Sequence, residues 1–220
     1  MKKISFISIV VSVIFFLSVF SVSAGGIFDF EEGEQGWTTT GLWHWVTPSN
    51  SGYPNAHSGV GSFWYGDEST RTYDVGYNDG MLISPPLANP SILVFWTWWD
   101  IEGAEPSSYD LMQVIADDGS KYLFLQLNPK EDPEHDPDYD PDFDYDWYSS
   151  GGYNVPGVWV KHTVDLRYYP GLDRVVFYFD SGDSQYNDYY GWYIDDVTIY
   201  ESVVPVDKIQ KILKKNQDKN

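Results

Sequence analysis

An all-β fold, two antiparallel sheets packed as a jelly-roll sandwich, is predicted by three features of the 220-residue sequence. Short segments rich in Val, Ile, Phe, Tyr and Trp recur along the chain, each bounded by Gly, Pro, Asn or Asp. Several of them alternate with the two-residue period of a strand. No helical periodicity of useful length appears before residue 205.

The predicted strands fall at 26–30, 42–46, 62–65, 81–84, 92–100, 109–117, 121–127, 158–166, 174–180 and 192–200. In 174–180, Val175, Phe177 and Phe179 share one face. In 92–100 both faces are apolar or aromatic until Asp100, as in a central strand covered on both sides or one with an exposed aromatic row. Trp96 and Trp98 share one face and Trp99 takes the other. Asp118-Gly119 signals a hairpin turn between two of the strands.

The ends differ from the middle. Residues 1–24 read as a signal peptide: Lys2 and Lys3, an apolar run from Ile4 to Phe20, then Val22 and Ala24 ahead of a cut before Gly25. The alternative is a short membrane anchor. A secreted or cell-surface protein, not integral to the membrane after cleavage, is the expectation. Residues 25–200 form the sandwich domain. Residues 201–220 are a lysine-rich tail in which Val206, Ile209, Ile212 and Leu213 can line one side of a short helix.

Charge excludes some partners. Residues 25–200 carry 30 Asp plus Glu against 6 Lys plus Arg, a net of 6 − 30 = −24. Such a surface repels nucleic acid and anionic lipid and suits cations. Nine of those acids lie in 128–147, with four prolines. Proline and like charge preclude a regular element there, so it reads as a long inserted loop. Its aspartates recur every second residue from 136 to 146, yet the glycine and closing glutamate of an EF-hand are missing. An ion-ordered loop and a plain solvated loop both remain open. The chain has no cysteine, so no disulfide can staple it.

Several motifs together resemble a known family. They are Gly26–Trp37 (GIFDFEEGEQGW), His57-Ser58-Gly59, YDVGYNDG at 73–80, the Leu-Ile-Ser-Pro-Pro run at 82–86, ILVFWTWWDIE at 92–102, FYFDSGD at 177–183 and GWYIDDVTIY at 191–200. The chain is similar to the MAM-like and carbohydrate-module-like jelly rolls that accompany secreted metallopeptidases of the immune inhibitor A type. The resemblance implies a concanavalin- or galactose-binding-like sandwich whose first and last strands lie side by side, with a structural calcium where they meet. Residue by residue it implies Glu31 and Asp196 as side-chain ligands, with Asp195 the other member of the closing pair and Asp29 in reserve. Independently, calcium wants six to eight oxygens, and clustered carboxylates need a neutralising ion. Adjacent Asp195 and Asp196 should point to opposite faces of a strand, leaving one as a ligand and the other to hydrogen-bond into a loop. Asp100, Glu102 and Asp110 form a possible second ion site, while Asp180, Asp183, Asn187 and Asp188 read as a capped turn.

Aromatic residues make up 18% of the chain, a surplus that points to recognition as well as packing. Among Trp43, Trp45, Trp96, Trp98, Trp99, Trp147, Tyr148 and Trp159, the ligand-binding candidates are Trp96, Trp98, Trp147 and Tyr148. Catalysis has little support, since His44, His57, His135 and His162 lack zinc spacing and no nucleophile motif is present. The expectation is a non-catalytic, calcium-stabilised module that recognises a glycan or a cell-surface component. The alternative is a structural or protein-interaction module accessory to a secreted peptidase or surface layer.

Overall fold

The computed structural model describes residues 22–47, 54–102, 110–116, 122–127, 148–153, 155–169, 171–202, 208 and 211. The apolar leader before residue 22, the Asp118-Gly119 turn, the acidic segment 128–147 with Trp147, and the tail from residue 203 on apart from Lys208 and Lys211 lie outside them, while Glu201 and Ser202 continue the last strand. Those two lysines are helical and exposed.

Thirteen strands and one short 3-10 turn make up the described fold: β1 (Val22–Phe28), β2 (Thr38–Thr39), β3 (Trp43–Val46), β4 (Ser62–Tyr65), β5 (Asp79–Ile83), β6 (Pro90–Ile101), β7 (Leu111–Ala116), β8 (Leu123–Gln126), β9 (Tyr148–Ser149), β10 (Gly152–Tyr153), β11 (Val160–Asp165), β12 (Val175–Asp180) and β13 (Gly191–Ser202). The turn spans Leu166–Tyr168. The predicted all-β sandwich is what forms. One sheet of eight strands runs β10-β9-β6-β13-β4-β3, with β11 also beside β6 and β1 also beside β13. The other has five strands in the order β2-β5-β12-β7-β8. All pairings are antiparallel, and β7 and β8 pair as the predicted hairpin.

The first and last strands lie side by side, Val22 opposite Ser202 through Phe28 opposite Val197. Strand β1 thus begins three residues before the predicted cut and ends two residues before the predicted strand end. Phe30 takes φ +55 and turns the chain, with its side chain fully buried. The two-residue strands β2, β9 and β10 are too short to show a period, and the sequence reading missed them.

The core lies between the sheets because each strand buries alternate residues. From the larger sheet, β6 contributes Leu93, Phe95, Trp99 and Ile101, and β13 contributes Trp192, Ile194, Val197 and Ile199. Strand β12 answers with Val175, Phe177 and Phe179. The Phe177 ring meets Phe95 at 4.9 Å and both Trp37 and Trp192 at 5.9 Å. Exchanging that ring for a similar-volume aliphatic chain loses these contacts without opening a large void. Phe177→Leu is expected to lower stability by about 1–2 kcal/mol in urea unfolding at constant slope.

A second apolar layer covers the other side of the large sheet. Trp64, Trp98 and Tyr193 form it, with Val46 and Trp159 packed alongside. Trp64 stacks on Tyr193 at 5.6 Å, and Trp98 meets Tyr193 edge-on at 5.4 Å. Of the two possibilities for 92–100, a strand covered on both sides is therefore the one that forms. The outer face of β6 is covered at its Trp96–Trp98 end, whereas Ile92 and Val94 on the same face stay half-buried.

Candidate functional site: a carboxylate latch and an aromatic cavity

Loop 57–61 is gripped by acidic side chains from both ends of the domain. Both oxygens of Glu31 accept from Val60 N–H, at 2.8 and 3.0 Å, and Oε1 also accepts from Gly61 N–H at 2.9 Å. Asp195 Oδ2 accepts from Ser58 N–H at 3.2 Å, and its Oδ1 from Asp196 N–H at 2.6 Å. Asp196 Oδ1 accepts from Ser58 Oγ at 2.9 Å. His57 Nδ1 lies 2.5 Å from Asp196 Oδ2, within hydrogen-bond distance.

Here strand alternation fails as a guide. Asp195 and Asp196 were expected on opposite faces, yet both side chains meet the same loop. The register of β13 shifts between Asp195 and Thr198, and Asp196 takes φ +46, so a bulge turns its side chain back. Asp29 faces away into its own turn. Its Oδ1 accepts from Gln35 Nε2 at 2.7 Å and from Glu31 N–H at 3.3 Å, and these bonds hold it below the usual carboxylate range.

Glu31, Asp195 and Asp196 offer oxygen donors only, the chemistry a hard cation selects. Asp195 is fully buried, and desolvation together with Asp196 pushes it up to about 7. As they stand, these carboxylates are bonded to N–H and O–H donors of the loop. Among the described residues, no three His, Cys, Asp or Glu side chains gather closely enough to hold an ion.

The predicted second acidic group divides. Asp110 is buried, accepts from Tyr73 Oη, and its Oδ2 accepts from Glu102 N–H at 3.1 Å. Burial first, then the charge of Glu102, pushes Asp110 well above the usual range despite the Tyr73 bond. Asp100 belongs elsewhere. It is raised to about 7 by burial alone, with no contribution from Glu102 or Asp110. The reason is topological: Asp100 ends the outer face of β6 in the large sheet, whereas Asp110 precedes β7 in the small one. In the 180–188 turn, Asp180 accepts from Gly182 N–H and Asp183 from Gln185 N–H, the expected capping.

Asp100 and Trp98 line an open cavity of 540 Å³ together with Arg71, Asp188, Tyr189 and Tyr190. The volume is in the usual range of small-ligand sites. Asp100 is 7% exposed, the backbone of Tyr190 hydrogen-bonds its carboxylate, and its Oδ1 has no partner among the described residues. Two strands build this corner. Gly191 opens β13 opposite Asp100, which fixes Tyr190 over the carboxylate, and the Trp98 ring meets Tyr190 edge-on at 6.2 Å.

The other aromatic candidates lie elsewhere. Trp96 is half-buried under His57, the rings stacked at 3.7 Å and 16°. Tyr148 packs towards the main core, 5.9 Å from Trp99. Trp43 and Trp99 are core residues, and Trp45 donates to Phe30 O at 2.7 Å. Trp159 donates to Asn55 O at 2.8 Å. Tyr189, Tyr190, Asp188 and Arg71 were not singled out as ligand contacts. Asp188, Tyr189 and Tyr190 are consecutive in one loop and Arg71 lies in another, and only the fold brings the two segments together beside Asp100.

No protein-family model matches the chain, and no curated protein matches it. Solved structures with a similar fold include the K3 cleaved adhesin domain of Lys-gingipain from Porphyromonas gingivalis w83, at 20% identity and TM-score 0.48, covering 80% of this chain and 99% of that one. TmCBM61 in complex with β-1,4-galactotriose matches at 16% identity and TM-score 0.42, covering 80% and 97%. The CBM22-1 xylan-binding domain of Paenibacillus barcinonensis Xyn10C matches at 14% identity and TM-score 0.38, covering 82% and 96%. The likeness is to the β-sandwich of adhesin domains and carbohydrate-binding modules, not specifically to MAM domains or to those of immune inhibitor A type peptidases. Identity and TM-score at this level carry no inference about a ligand of this chain.

Proposed function

We propose that this protein is an exported, non-catalytic binding module that recognises carbohydrate in the cavity over Asp100 and Trp98. The observation that carries the reading is the buried Asp100 carboxylate, with an oxygen left without a donor, at an aromatic-walled opening. A sugar supplies hydroxyl donors for such an oxygen and apolar ring faces for such walls. Export rests on the leader at 1–24. Among the described residues no helix is long and apolar enough to cross a membrane.

The test is a glycan array probed with wild type and with Asp100→Asn, which keeps the shape and removes the charge. Selective binding is expected, weakened at least tenfold in the variant, which corresponds to about 1.4 kcal/mol. Equal binding by both proteins would remove the cavity from the account, and no binding by folded protein would remove carbohydrate.

Calcium is proposed at the latch. Glu31, Asp195 and Asp196 would have to draw closer together than they stand and exchange loop N–H donors for the ion, whose charge would relieve the crowding of Asp195 by Asp196. Addition of 5 mM calcium is expected to raise Tm by roughly 5 °C or more over chelator, as mass action on the folded state requires. Glu31→Gln should reduce that shift. An unchanged Tm would exclude a stabilising ion.

A second reading, protein interaction, is favoured by a separate surface. On the outward side of β1 and β13, Ile27 is 70% exposed and Tyr200 36%. Ile92, which pairs with Tyr200, and Val94 are only half-buried beside them. Ile27→Ser would impair capture of a protein partner and leave glycan binding unchanged.

A further inference from the structure

Resting on the carbohydrate reading, we infer that the ligand of the Asp100 cavity is a basic sugar, one presenting a protonated amine to the carboxylate. Hydroxyls alone would satisfy the oxygen's hydrogen bonding but not its charge. An ionised carboxylate 7% exposed is strongly disfavoured unless a cation accompanies it. Among the described residues none does so. Only burial and the backbone of Tyr190 act on Asp100, and no basic side chain does so. The cavity's one cationic side chain among the described residues, Arg71, is exposed, and a second carboxylate, exposed Asp188, lines the same cavity.

The rest of the site suits a cation as well. Trp98, Tyr189 and Tyr190 surround the opening, and aromatic walls attract ammonium groups. Beyond contact range, the net charge of −24 over residues 25–200 draws cations towards the domain and repels acidic sugars. An ammonium on Asp100 would make a charge-assisted hydrogen bond, shorter and about twice as strong as a neutral one. Acetylating the amine removes its charge and adds bulk, so the site should discriminate between the free and acetylated forms of one sugar.

The experiment is calorimetric titration of the full chain at pH 7 with a glucosamine trimer and, separately, with its fully N-acetylated counterpart of the same linkage. The free amine is expected to bind at least about tenfold tighter, with affinity falling as salt rises. Asp100→Asn should abolish the preference while its melting curve stays cooperative. Three results would overturn the inference. In one, the acetylated trimer binds as well or better. In another, neither trimer binds, although neutral glycans on the array bind in an Asp100-dependent way. In both, the carbohydrate reading survives. In the third, Asp100→Asn binds the glucosamine trimer as wild type does, which reduces the effect to general attraction by an acidic surface. If no glycan of any kind binds, the carbohydrate reading falls and takes this inference with it.

Discussion

Lowering the pH from 8 to 5 is expected to stabilise this fold. Asp100 and Asp195 are both pushed up to about 7, chiefly by burial, from an ordinary value of 3.8. A carboxyl group whose folded pKa is raised contributes stability that is complete below the unfolded value. That stability is lost as pH rises through the folded value. The window for these two groups therefore runs from about 4 to about 7, and each contributes on the order of 4 kcal/mol across it, roughly 2–3 kcal/mol of that between pH 7 and pH 5. Asp110, raised further by its burial, adds to the same trend.

One group opposes the trend. Half-buried His162 stacks on the core residue Phe95, and burial holds it below its ordinary value of 6.5. Its contribution is present above that value and is lost as pH falls through its folded pKa. With three carboxyls raised against one imidazole lowered, the net effect should be a rise in Tm of about 5–10 °C on acidification. Asp100→Asn and Asp195→Asn should each flatten the profile by removing one group. If both variants keep the wild-type slope, relief of general charge repulsion would explain the trend instead. Calcium at the latch should act with the opposite slope, because it requires Asp195 ionised.

Gly191→Ala is the substitution expected to damage the fold most. Gly191 has φ +82, a conformation that side chains disfavour, and a Cβ there would lie 2.2 Å from the Tyr65 carbonyl oxygen. That oxygen belongs to β4 in the eight-stranded sheet and cannot swing aside as a flexible side chain would. Backbone strain and overpacking together are expected to lower stability by about 4 kcal/mol. Gly33→Ala is the control. It shares a positive φ of +94, but nothing lies within 4 Å of its Cβ position, so only the backbone term of about 1–2 kcal/mol should appear. Equal losses in urea unfolding would mean that the close approach to β4 contributes nothing. Gly191 also holds Tyr190 over Asp100, so any folded Gly191→Ala protein should bind ligand poorly.

What the sequence made legible follows its periodicities. Strand β12 could be read because Val175, Phe177 and Phe179 alternate with half-buried or smaller neighbours. Strand β6 could be placed, but its environment could not be decided. The cover on its outer face comes from Trp64 and Tyr193, far away in sequence. The pairing of the first and last strands came with the family resemblance. The latch was legible as to its residues, Glu31, Asp195 and Asp196, but not as to its geometry. A single left-handed residue, Asp196, overrides the two-residue period, and nothing in an Asp-Asp pair announces it. The cavity was legible only in part. Trp98 and Asp100 stood out, each attached to a different idea, whereas Tyr189, Tyr190, Asp188 and Arg71 lie in turns whose positions depend on tertiary pairing.

The central claim is that the cavity over Asp100 is where the ligand binds. Chemical-shift mapping of the labelled protein, titrated with the tightest glycan found on the array, tests it most directly. The account predicts that the largest changes fall on the Trp98 indole N–H and on the amides of Thr70–Thr72 and Asp188–Tyr190. It also predicts that Asp100→Asn suppresses them together. Changes centred on the outward face at Ile27 and Tyr200, with the cavity silent, would contradict the account and make this sandwich a module that meets its partner by its sheet.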